Sequence, residues 1–196
     1  MCTHVHGNCP AFFEGRASRV YDFVARRLLR GLYRRIADDL VDAVPEGAAV
    51  LDVGTGPGVL LVELAQRRPD LRLTGVDLSA DMAAAATHNV REFRDRASVH
   101  AGDVTQLPFA DDAFDAVVTS FSMHHWDHPA GAVPELARVL RPGGRLYVYD
   151  FGHAPFRVLT ETASEQGLFD GAPVRKTRIR TAVPVFSRCD RLTMTA

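Results

Sequence analysis

Cysteine is scarce in this 196-residue chain: Cys2, Cys9 and Cys189 are too few and too unevenly spaced for a disulfide framework. A reducing compartment is therefore expected, and with it a cytoplasmic protein. Long apolar runs are lacking as well. No segment approaches the roughly 20 uncharged apolar residues of a membrane span, and Met1 to Gly15 has no signal-peptide core. Charge of one sign is also missing: 23 Lys and Arg stand against 24 Asp and Glu, a formal net charge of -1. No long-range field then asks for nucleic acid or an anionic membrane as a partner, and a small molecule fits better. Repeats, low-complexity tracts and linkers are absent too. Residues 1–196 therefore read as one domain, with 1–45 a helical cap and 46–196 an α/β core.

What is present is pattern. From Ser18 to Val44 the residues Val20, Val24, Leu28, Leu32, Ile36 and Leu40 recur every fourth position, one face of a helix that Gly31 can divide. Beyond Pro45, short runs rich in valine and leucine alternate with amphipathic stretches, as parallel strands alternate with crossover helices. Strands are expected at Ala49–Val53, Arg72–Val76, Ser98–His100, Phe114–Thr119 and Gly144–Asp150. Helices are expected at Val59–Arg67, Ala80–Phe93 and Pro134–Leu140, with Pro134 at the first helical position and Pro129–Val133 as loop. A further helix over Phe156–Gln166 precedes two β-branched basic runs, Val174–Thr181 and Val185–Thr193, expected to pair antiparallel at a sheet edge.

Three segments carry chemistry. Val50-Leu51-Asp52-Val53-Gly54-Thr55-Gly56-Pro57-Gly58 is an apolar strand running into a glycine-rich turn that opens a helix. Such glycines serve a tight turn or let the backbone approach a ligand such as a dinucleotide pyrophosphate. Asp77 ends the next apolar run, where a carboxylate can accept hydrogen bonds from both hydroxyls of a ribose or cap the following helix, a task for which Ser79 is better suited. Gly102-Asp103-Val104 follows the third strand. There Asp103 can accept from an adenine amino group, while Leu78 and Val104 sandwich the ring. Arg138-Val139-Leu140-Arg141-Pro142-Gly143-Gly144-Arg145-Leu146 is a helix stop and tight turn feeding a strand.

In this order and spacing, the four pieces closely resemble the class I S-adenosylmethionine-dependent methyltransferases over Val50 to Asp150, in particular the subgroup with ubiquinone and menaquinone biosynthesis methyltransferases. The resemblance implies a Rossmann-like, doubly wound, seven-stranded and mostly parallel sheet with an antiparallel last strand. It implies S-adenosylmethionine as cofactor, S-adenosylhomocysteine as product, and methyl transfer to a small-molecule acceptor. Asp52, Gly54, Thr55 and Gly56 would line the methionine and ribose part, Asp77 the ribose, Asp103 with Leu78 and Val104 the adenine, and Ser120 would lie nearby. A non-catalytic binder of the same cofactor is the alternative. An NAD-dependent oxidoreductase fits less well, because the glycines run GxGxG and are joined to the GDV and RPGG segments.

On the acceptor side, Ser122-Met123-His124-His125-Trp126-Asp127-His128 follows the fourth strand, and His124 or His125 can serve as a base if the acceptor must lose a proton. The same pair can instead pack against the cofactor or order the loop, and Asp150 is a comparable candidate. Tyr21 and Tyr33 on the N-terminal helix are candidate acceptor contacts. Its Arg26, Arg27, Arg30, Arg34 and Arg35 suit a solvated face or an acidic substrate. Cys2, His4, His6 and Cys9 fit none of the usual zinc spacings, so no metal site is expected. The assembly is expected to be a monomer or homodimer.

Overall fold

The computed structural model of the protein describes residues 30–180 and 188–196. Among them, helix α1 (Arg30–Val41) leads into β1 (Ala49–Val53), α2 (Val59–Arg67), β2 (Arg72–Asp77), α3 (Ala80–Asn89), β3 (Ala97–Ala101) and β4 (Phe114–Ser120). Then come α4 (Pro129–Arg138), β5 (Leu140–Asp150), α5 (Phe156–Glu165), β6 (Ala172–Arg180) and β7 (Arg188–Thr195). The strands form one sheet in the order β3-β2-β1-β4-β5-β7-β6. The first five lie parallel, while β7 runs antiparallel to both β5 and β6. The sheet is thus the mostly parallel one expected, with its last strand reversed.

β1 reads Ala-Val-Leu-Asp-Val and is buried at every position, because helices cover both faces of the sheet. Val50 faces the layer of α1 and α2, with Ile36, Leu40, Leu61 and Leu64. Leu51 and Val53 face the opposite layer of α4 and α5, with Val133, Leu136, Leu159 and Ala163. Polar ties fix α1 to its layer. The Tyr149 hydroxyl donates to Asp39 Oδ2 at 2.7 Å, the Tyr147 hydroxyl to the Ala43 carbonyl at 3.0 Å, and Arg191 pairs with Asp39. Burial would raise the Glu63 carboxyl on α2, but hydrogen bonds from Arg30 and Arg67 outweigh it and hold the carboxyl below its ordinary value.

Three boundaries among the described residues differ from the sequence expectation by more than two residues. Helix α4 begins at Pro129, in the segment read as loop, and Pro134 lies inside it. Burial of Ala132, Val133 and Leu136 against the sheet outweighs the roughly 3 kcal/mol that an internal proline costs. β5 starts at Leu140 instead of Gly144, since the Arg141 to Gly144 turn is absorbed as an irregularity beside β4, with Gly143 at φ 78°. The stretch after β2 is helical to Asn89 and ends in a separate 3-10 turn at Arg91–Phe93. Tyr21, the Cys2/His4/His6/Cys9 group and the start of the N-terminal helix lie outside the described residues. Among those described, no helix is long and apolar enough to cross a membrane.

Tyr149→Phe deletes the hydroxyl that reaches Asp39. Urea unfolding should show a loss of about 1.5–3 kcal/mol, the range for a hydrogen bond to a charged partner, with an unchanged m-value.

Candidate active site

After β1 the chain crosses to the β2 side of the sheet, and after β4 to the β5 side. The loops leaving β1 and β4 therefore diverge, and a crevice opens at their carboxyl ends, where parallel sheets bind ligands. The glycine turn forms one lip. Gly54 (φ 67°) and Thr55 both donate backbone N–H to the Val76 carbonyl, at 2.8 and 3.0 Å. A Cβ on Gly54 would lie 1.8 Å from Ser122 Oγ, so no other residue lets the two loops close on each other here. Ser122 is held in turn by the Trp126 indole N–H, at 3.0 Å. Gly56 (φ 53°) has open space where a Cβ would project. Asn89 anchors the turn from α3, donating from Nδ2 to the Pro57 carbonyl at 2.8 Å.

Two carboxylates meet this turn. Asp52 is fully buried, and its Oδ2 accepts the Thr55 hydroxyl at 2.7 Å while Oδ1 has no partner among the described residues. Burial lifts its carboxyl from the ordinary 3.8 to about 7; the Thr55 bond opposes the shift and the nearby Asp77 charge adds to it. Asp77 Oδ2 accepts the Gly56 N–H at 2.7 Å and Oδ1 the Ser79 N–H at 2.9 Å. Burial raises its carboxyl as well, against those two bonds. Each carboxylate oxygen has two lone pairs, so Asp77 keeps one acceptor position per oxygen for a pair of ligand hydroxyls. Ser79 Oγ accepts from the Met82 N–H and is the cap of α3, as expected.

Leu78, beside Asp77, is 75% exposed, an uncovered apolar surface of the kind a flat ring would cover. Asp103 is exposed and its Oδ1 accepts from the backbone and hydroxyl of Thr105, both at 2.8 Å. Half-buried Val104 packs on the core layer of α4 and α5. Arg138 fixes the chain beyond, donating to the Leu107 and Phe109 carbonyls and to Asp111 and Glu135. The RPGG-containing segment therefore also clamps the loop after β3, a role its sequence does not disclose.

The other lip follows β4. Ser120 is buried, Phe121 adopts φ 52°, and a 3-10 turn carries Met123–His125. His124 Nδ1 lies 2.8 Å from Asp150 Oδ1 at the end of β5. His125 is exposed and its ring centre lies 4.0 Å from that of His124. Desolvation lowers the His125 imidazole, as does the charge of His124, against Asp150. Tyr33 is buried, its ring 6.4 Å from Phe121, which in turn stands 5.0 Å from Phe151. The fold thus gathers Asp52, Gly54, Thr55, Gly56, Asp77 and Ser120 around one crevice, with His124 at its far lip. Sequence reasoning named Ser122 and Trp126 only as members of the loop cluster, without the bond between them, and missed Asn89, Phe151 and His153, whose partners lie 32 positions away or are aromatic rings that only the fold assembles.

The residues present suit an adenosyl sulfonium cofactor. Asp52 offers a buried acceptor without a partner, Gly56 leaves room along the turn, and Asp77 matches a diol. Residues 51–148 match the methyltransferase domain family. The chain is 36% identical to the demethylmenaquinone methyltransferase of Mycolicibacterium paratuberculosis, over 83% of this chain and 67% of that one. It is 32% identical to the ubiquinone/menaquinone biosynthesis C-methyltransferase UbiE of Geotalea daltonii, over 69% of this chain and 60% of that one. Among curated relatives such as the latter, the match spans between 52% and 60% of their length. The fold matches a SAM-dependent methyltransferase from Aquifex aeolicus with a TM-score of 0.69 at 19% identity, covering 91% of this chain and 96% of that one.

Asp52 sets a pH dependence whose sign follows from its raised carboxyl. The unfolded chain loses this proton near pH 3.8 and the folded one near 7. Stability should therefore fall as pH rises between those values, by roughly 1.4 kcal/mol per unit from this group. Asp52→Asn removes that slope. Urea unfolding of both proteins at pH 5 and 8 checks it: the stability of the variant relative to wild type should be greater at pH 8.

Proposed function

The chain belongs to the S-adenosylmethionine-dependent methyltransferase family, and from that premise we propose that it transfers a methyl group from this cofactor to a small-molecule acceptor in the crevice between β1 and β4. The observation that carries the reading is the pairing of Asp52 and Asp77 across the glycine turn. Asp52 is buried with an unpartnered oxygen, and Asp77 is anchored to Gly56 yet able to accept two more hydrogen bonds. When bound, the cofactor supplies a methyl group already activated by its sulfonium charge, so the protein's work is largely positioning. Asp77 receives the ribose hydroxyls, and Asp52 with Gly54, Thr55 and Gly56 lines the ribose and methionine part. Leu78 and Val104 flank the adenine and Asp103 accepts from its amino group. Ser120 bounds the methionine end from β4.

The acceptor approaches from the lip formed by His124, His125, Phe121 and Phe151, with Tyr33 beside Phe121. The curated relatives act on demethylmenaquinone or in quinone biosynthesis, which makes a planar ring compound the first acceptor to try. Burial pushes the Cys189 thiol up to about 11, which leaves it inert as a nucleophile.

Incubation with methyl-labelled S-adenosylmethionine and a fractionated small-molecule extract should place label in one metabolite fraction. Cofactor binding without transfer to any fraction would favour the non-catalytic binder. Asp77→Ala should weaken cofactor binding by about 1–3 kcal/mol in calorimetry; unchanged affinity would remove Asp77 from the site.

A further inference from the structure

We infer that the acceptor carries a carboxylate, and that Lys176 and Arg178 on β6 receive it. The inference rests on the methyltransferase reading above and extends its acceptor lip across the edge of the sheet. β7 runs between β5 and β6, with Asp150 opposite Asp190 and Asp190 opposite Arg178. Directly opposed residues point to the same face, and neighbouring strands lie about 4.8 Å apart. Asp150, which holds His124 at the lip, therefore forms one row with Asp190 and Arg178 at the carboxyl end of β5. Lys176, two positions before Arg178 on the same strand, shares that face.

The row is built on a buried acid. Asp190 accepts Lys176 Nζ on Oδ2 at 3.1 Å and Arg178 Nε on Oδ1 at 3.3 Å. Burial would raise its carboxyl, but the hydrogen bonds from Lys176 and Arg178 outweigh that and hold it below its ordinary value. Lys176 Nζ also stands 4.4 Å from the centre of the Phe156 ring, a favourable place for a cation. The acid side chain is 7% exposed, the lysine 45% and the arginine 65%, so the site turns its positive groups outward and its negative one inward. Basic residues on an edge strand can serve only to repel other strands, but that role needs no buried carboxylate to fix their heads. Two cations on one carboxylate leave one positive charge, which a carboxylate balances and a phosphate dianion exceeds. Three ammonium hydrogens and a guanidinium fork with five give the pair more donors than Asp190 takes.

The acceptor lip adjoins this row. A Cβ on Gly152 would lie 3.5 Å from Asp190 Oδ2, so the backbone between Phe151 and His153 passes directly over the acid. The Phe151 and His153 rings are parallel within 4° at 5.6 Å, and Phe151 stands 5.0 Å from Phe121. A planar acceptor that lies along these rings has its carboxylate directed toward β6. The other charged or titratable groups beside the rings are His124, His125 and His153, with Asp150 fully buried behind them.

Calorimetry on the protein saturated with S-adenosylhomocysteine, with benzoate and its uncharged counterpart benzamide as probes, tests the inference. Benzoate should bind at least about tenfold more tightly than benzamide at low salt, and the gap should shrink as salt is raised to about 0.5 M. Neither comparison needs a variant. Lys176→Met and Arg178→Met each leave Asp190 one cation; each should weaken benzoate by about fivefold or more and leave benzamide and S-adenosylhomocysteine within about twofold. With labelled S-adenosylmethionine and the small-molecule extract, the labelled product should be retained by an anion-exchange column at neutral pH. The inference is overturned by benzoate binding no more tightly than benzamide, by unchanged benzoate affinity in both variants, or by an uncharged labelled product. Failure to bind S-adenosylhomocysteine would instead remove the methyltransferase reading on which it stands.

Discussion

A carboxylate with no exposure, placed in an interior strand of a sheet covered on both faces, is the constraint around which this structure is arranged. Asp52 retains a single hydrogen bond, from Thr55, and its second oxygen is unpartnered. Burying such a group is unfavourable unless something compensates it, and here the compensation is partial: the carboxyl holds its proton to about pH 7. A core selected for stability alone would place an apolar residue between Gly75 and Val118 at this register. The strain is concentrated where the strand order reverses, which is where a ligand can relieve it.

The residues near Asp52 fix the shape of that point. Gly54 permits the loops after β1 and β4 to touch, Asp77 staples the turn to β2, and Asn89 pins it from α3. On the β3 side, Arg138 spends its guanidinium on two carbonyls and two carboxylates so that the loop beyond Asp103 is fixed. The crevice is thus bounded by hydrogen bonds to backbone on its β2 side and by rings on its β5 side. This division suits a ligand with a polar ribose at one end and a planar reactant at the other.

Charge elsewhere is handled differently. Glu63 is buried but paired with two arginines, and Asp39 joins Tyr149 and Arg191. Those groups anchor α1 and α2 to the sheet and are satisfied. The contrast separates structural carboxylates, whose partners come from the chain, from Asp52, whose Oδ1 has no partner among the described residues.

The strands and most helices were legible in the sequence because each β segment is a short apolar run and each helix an amphipathic one; periodicity reports burial, and burial makes these elements. The places of the glycine turn, Asp77 and Asp103 at successive strand ends were legible too, since each ends or follows a short apolar run. Helix α4 was misplaced because the local rule for Pro134 took no account of the apolar face that Ala132, Val133 and Leu136 present to the sheet. The contacts of His124 with Asp150, Ser122 with Gly54 and Asn89 with Pro57 span 26 to 68 positions. They depend on which strands lie side by side, and that is decided by the packing of the whole sheet, for which no stretch of sequence carries a local signal.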